Sequence, residues 1–119
     1  MDKIAIALVG LNLLIHVYIV VLEMVLWTQR APKVFGITPA FAAESKSLAS
    51  NQGLYNGFLV VALGVGLVHP DRAIAHAFLV YGLGCIAVAG LWGAVTASRR
   101  ILFVQTIPAA LALAAVYLS

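Results

Sequence analysis

Four apolar runs, over residues 4–27, 52–68, 73–97 and 101–118, occupy most of this chain and leave little charge to face water. Each falls within the roughly 17–25 residues that can cross a hydrocarbon core. Hydrophobic residues make up 64% of the 119 and charged residues 9%, against about 25% charged in a soluble domain. Such a chain cannot cover its own surface against water, so lipid is the solvent for much of it. The formal charge of +3 comes from seven Lys and Arg, all outside the apolar runs. That is the pattern of interfacial anchors and topology signals, and it excludes a nucleic-acid groove. The single cysteine, Cys85, allows no disulfide within the chain.

The first run is too long for a signal-peptide core, and no A-x-A-like site follows it, so it reads as a mature helix. Residues 28–50 form the one sizeable polar segment, opened by Arg30, Pro32 and Lys33. Thr38-Pro39 then reads as an N-cap and first helical residue. A helix from there should run straight into the second span, over 39–68, with its first third at the membrane surface. His69-Pro70-Asp71-Arg72 and Ser98-Arg99-Arg100 are short turns. The expected fold is one all-α domain over 1–119: a four-helix transmembrane bundle of two hairpins, its second helix extended into the cytoplasm. Arg30, Lys33, Lys46, Arg99 and Arg100 fall on one side of this arrangement, Lys3 and Arg72 on the other. Because Lys and Arg concentrate on the cytoplasmic side, both termini are expected outside, in a multi-pass membrane protein.

Polar residues inside the runs carry the functional argument, because each costs free energy unless partnered. Asn12, His16, Glu23 and Trp27 fall on one face of the first helix, within about 60° at the helical period. Glu23 needs a cation, water or a proton; Lys46, Arg99 and Arg100 lie at its membrane level. It reads either as a ligand-recognition or proton-handling group or as half of an interhelical hydrogen bond, and so does His16. Asn51, Gln52, Tyr55 and Asn56 put three amides and a phenol within six residues at the start of the second span. They form either the wall of a polar pocket or a helix surface leaving water. Gly53 and Gly57, and the spacing-four stripe Cys85, Ala89, Gly93, Ala97, mark places where backbones approach closely. Gln105 with Pro108 reads as a kink or as a further polar contact. His69, Asp71 and His76 cluster near the first turn and could hold a metal ion, although Asp71 more simply caps the third span. No metal-ligand spacing strong enough to name a site and no nucleotide-binding glycine loop is present, so no cofactor is expected.

Four strings, L-I-H-V-Y-I-V-V-L-E-M-V-L-W, K-V-F-G-I-T-P-A-F, N-Q-G-L-Y-N-G-F and R-R-I-L-F-V-Q-T-I-P-A, taken in order, resemble a family of small bacterial membrane proteins filed as a domain of unknown function. Some members carry the label "epimerase", and one is named for ciprofloxacin tolerance. The resemblance covers essentially the whole chain and implies a four-span inner-membrane protein without an assigned activity. The family's motif residues fall here on His16, Tyr18, Glu23, Trp27, Phe35, Gly36, Asn51, Gln52, Gly53, Tyr55, Asn56, Gly57, Arg100, Phe103, Gln105 and Pro108.

Three functional readings follow. In the first, a small amphiphilic or cationic molecule or a lipid headgroup binds in a polar intramembrane pocket on the cytoplasmic side. Its ligand residues would be Glu23, His16, Trp27, Asn51, Gln52, Tyr55, Asn56, Arg100 and Gln105. The second is a membrane enzyme, since the layout is similar to the four-span family that includes microsomal glutathione transferase. That family's Arg-Asn-Glu run is missing here, with Lys46, Asn51 and Tyr55 as loose substitutes. The third is a structural or assembly partner. Membrane lipid and a second copy of the chain are the expected partners.

Overall fold

A computed structural model describes all of residues 1–119. Every regular element is helical: α1 (Lys3–Met24), α2 (Trp27–Phe35), α3 (Pro39–Glu44), α4 (Lys46–Val68), α5 (Arg72–Thr96), a π-helical segment (Leu102–Thr106) and α6 (Ile107–Leu118). The expected four-helix transmembrane bundle of two hairpins is not what forms. There are six α-helices, and three of them, α1, α4 and α5, are long and apolar enough to cross a membrane. The protein is thus a multi-pass membrane protein. The fourth apolar run gives a helix only over Leu102–Leu118. At 1.5 Å per residue that length reaches about 25 Å, short of a hydrocarbon core of about 30 Å.

Residues 28–35, at the start of the polar segment, are helical, although Pro32 lies inside α2 and cannot donate to the Thr28 carbonyl. What holds this helix is its apolar face. Trp27, Ala31 and Phe35 recur every four residues, Ala31 is fully buried, and the Trp27 and Phe35 rings meet at 5.6 Å. Gly36 ends α2 in the left-handed region, at φ 68°, and its N–H donates to the Pro32 carbonyl, an ordinary use of glycine at a helix C-terminus. Thr38 caps α3 by accepting from the Phe41 N–H, and Pro39 is the first helical residue. One non-helical residue, Ser45, separates α3 from α4. Its N–H donates to the Phe41 carbonyl and its own carbonyl accepts from Ala49, so the hydrogen-bond chain scarcely breaks.

The chain divides into two compact units, a larger one of residues 1–15 and 59–119 and a smaller one of residues 16–58. In the larger unit Asp2 caps α1 through the Ala5 N–H. Its core is a set of helical stripes at spacings of three and four: Ala5 and Val9 from α1, Leu63 from α4, Leu79, Leu83 and Ile86 from α5, and Ala109, Ala112 and Val116 from α6. Lipid supplies no hydrophobic drive between such helices, so close backbone approach must hold them. Gly66 sits against Leu79, Gly82 against Leu63, Gly90 against Thr106 and Gly93 against Ile101. Two hydrogen bonds reinforce the packing. The Thr106 hydroxyl donates to the Ala87 carbonyl at 3.1 Å. Fully buried Asn12 donates from Nδ2 to the carbonyls of Leu8, at 2.8 Å, and Pro108, at 3.0 Å, which ties α1 to α6.

Candidate functional site

The smaller unit joins the second half of α1 to the first half of α4 through α2 and α3. Gly53 makes the approach between α1 and α4 here: a side-chain carbon at that position would collide with Met24 and lie 3.1 Å from the Glu23 Cβ. Gly57 borders open space instead, so only the first glycine of the pair is used for contact. One turn beyond Gly53, the Asn56 amide Nδ2 donates to Glu23 Oε1 at 2.7 Å and to the Gln52 carbonyl at 3.2 Å. Glu23 is half-buried. Its other oxygen, Oε2, has no hydrogen-bond partner within the chain, and no Lys or Arg of this unit pairs with it.

Around this pair the remaining polar groups spread over two levels. Gln52, Asn51 and Tyr55 are exposed on α4, and the Tyr55 ring meets Phe58 edge to face at 5.7 Å. Trp27, at the start of α2, donates from Nε1 to the Ser45 hydroxyl at 3.0 Å, and that hydroxyl donates to the Phe41 carbonyl at 2.7 Å. Arg30 places its guanidinium 6.0 Å from the centre of the Tyr18 ring. His16 is fully buried. Arg100 and Gln105 belong to the larger unit. There Arg100 is exposed with its N–H on the Ser98 hydroxyl, and Gln105 lies half-buried in the π-helical segment. Sequence reasoning did not single out Ser45 or Met24. A separation of 18 residues hides the Trp27–Ser45 contact, which exists because α2 brings Trp27 back to the end of α3.

Chemically, the arrangement is a carboxylate with one oxygen fixed by an amide and one oxygen open. Two further amide side chains and a phenol stand on the neighbouring helix surface. It offers acceptors for an ammonium or hydroxyl group. No three His, Cys, Asp or Glu side chains converge to hold a metal ion.

Residues 10–117 match the family described as Protein of unknown function (DUF1304). The chain belongs to that family. The match covers α1 from Gly10 onward and every later helix, including Glu23, Asn56 and the whole α2–α3 connection. No curated protein and no solved structure is significantly similar to this DUF1304 chain.

Proposed function

We propose that this DUF1304 protein binds the cationic or amine-bearing head of a small amphiphile, a lipid headgroup included, at Glu23 in a bacterial inner membrane. The observation that carries the reading is the half-used carboxylate: Asn56 holds Glu23 Oε1 at 2.7 Å and leaves Oε2 open. A carboxylate in a membrane helix is expensive unless it serves a purpose or has a partner, and one neutral amide compensates only one side of it. Gln52, Asn51 and Tyr55 supply polar contacts beside it, and apolar helix surface accommodates the tail. The test is a titration of protein in neutral maltoside micelles with decyltrimethylammonium, with decanol as the uncharged control, followed by calorimetry. Glu23→Gln keeps the shape and the amide contact but removes the charge. It should weaken binding of the ammonium compound about tenfold or more, the worth of a hydrogen bond or contact to a charged group, and leave decanol unchanged. Equal binding of the ammonium compound by both proteins would refute the assignment.

The same reading puts the polar connection on the cytoplasmic side. Arg30 and Lys33 lie between α1 and α4, Lys46 opens α4, and Arg99 and Arg100 follow α5, whereas the opposite ends hold Lys3 and Arg72. In intact cells, with Cys85 replaced by Ser, a membrane-impermeant maleimide should label Pro70→Cys and spare Lys33→Cys. The opposite labelling would invert the orientation.

A further inference from the structure

A second candidate site lies in the larger unit. The α4–α5 turn carries His69, and α5 adds Arg72 at its start and His76 one turn further on. These three side chains and Ser119 border a cavity of about 400 Å³ whose remaining walls are mostly apolar, among them Leu67, Leu79 and Val116. A volume of that order is ample for a small amphiphile, since ligand sites commonly occupy about 300–1,000 Å³. The polar wall is a set of donors. His69 Nδ1 accepts the Asp71 N–H at 3.0 Å, which fixes the proton of a neutral imidazole on Nε2 and makes that atom a donor. Asp71 caps α5, its Oδ1 accepting from the Ala73 and Ile74 N–H groups, and the neighbouring Arg72 guanidinium forms no ion pair within the chain. His76 is held at the rim by Tyr117, the two rings meeting edge to face at 5.3 Å.

Depth arranges the two kinds of wall. The turn joins two helices that are each long enough to span, so it lies at a membrane surface. Leu79 is seven residues along α5 from Arg72, about 10 Å deeper. Donors and a cation therefore stand at headgroup level, and an apolar slot runs inward from them.

We infer that this cavity binds an anionic amphiphile, an alkyl or acyl chain ending in a phosphate or carboxylate, with the head on Arg72, His69 and His76 and the chain against Leu67, Leu79 and Val116. The inference stands independently of the Glu23 reading. The experiment titrates the intact protein in neutral maltoside micelles with decyl phosphate, with decanol and with inorganic phosphate. Decyl phosphate should bind about tenfold or more tighter than either, because a guanidinium–phosphate contact is of the strong, charge-assisted kind. Arg72→Gln should reduce decyl phosphate to the level of decanol, Arg72→Lys should retain part of the preference, and Lys33→Gln, which removes an equal charge from the other unit, should change nothing. Decanol binding as tightly as decyl phosphate would show the donors idle. Inorganic phosphate binding as tightly would show the apolar wall idle, and the source of the anion to be soluble rather than lipid-borne. Undiminished decyl phosphate binding by Arg72→Gln would place the anion elsewhere. Any of these three results overturns the inference.

Discussion

Gly90→Ala should destabilise the protein markedly, while Gly84→Ala, on the same helix, should leave stability unchanged or raise it. A methyl carbon at Gly90 would collide with the Thr106 hydroxyl and lie 2.9 Å from the Thr106 backbone nitrogen and 3.0 Å from the Gln105 Cβ. A hydroxyl can rotate away, but backbone cannot, so α5 must back off from the π-helical segment and stretch the Thr106–Ala87 hydrogen bond. Overpacking of this kind costs about 1–3 kcal/mol. Alanine recovers up to about 1 kcal/mol of helix propensity over glycine, which is too little to reverse the sign. At Gly84 nothing lies within 4 Å of the added carbon, so only the propensity gain remains. The pair should separate by about 2 kcal/mol in denaturation by sodium dodecyl sulfate from neutral micelles. Equal midpoints for the two variants would mean that Gly90 does not set the α5 contact.

The Glu23–Asn56 pair should show a pronounced asymmetry. Asn56→Leu strips the carboxylate of its donor and leaves it half-buried, a loss of about 1–3 kcal/mol. Glu23→Leu leaves Asn56 with its second acceptor, the Gln52 carbonyl at 3.2 Å, and should cost less. Replacing both removes the orphaned group altogether, so the double leucine variant should regain most of the stability lost in Asn56→Leu. Interhelical hydrogen bonds in membranes average only about 0.6 kcal/mol of coupling, and a coupling well above that would reflect the carboxylate. The same double variant should bind no decyltrimethylammonium. A stable fold without binding separates the two roles of Glu23, whereas a double variant as unstable as Asn56→Leu would contradict the pairing.

Much of this site was legible because membrane chemistry is strict about cost. Glu23 inside an apolar run demands compensation, and the amides of residues 51–56 were the dense donor surface at the same depth. Of these the bond is made by Asn56, because Gly53 sets which side of α4 meets α1. That choice depends on contact between helices and has no local signal beyond the glycine itself. The α2 helix was hidden for a different reason. Arg30, Pro32 and Lys33 mark only the opening of a polar segment, while the helical signal, Trp27, Ala31 and Phe35 at spacing four, is only three residues long. In the last apolar run the helix was legible and its pitch was not: the π-helical turns sit where Gly90 admits Thr106, a tertiary fact.

Those wide turns have a consequence for how the chain tolerates change in length. The Ile107 N–H reaches back five residues, to the Leu102 carbonyl, where a regular helix would reach back four. The segment therefore holds one residue more than the α-helical path needs. Removing one residue between Leu102 and Thr106 would let the remainder close into an ordinary helix with the residues on either side kept near their present bearings. Ala109, Ala112 and Val116 would keep their seats in the core, and Arg99 and Arg100 would keep theirs before the segment. At this point the chain is built to absorb the loss of one residue, where the same deletion in a regular helix would turn one flank by about 100°.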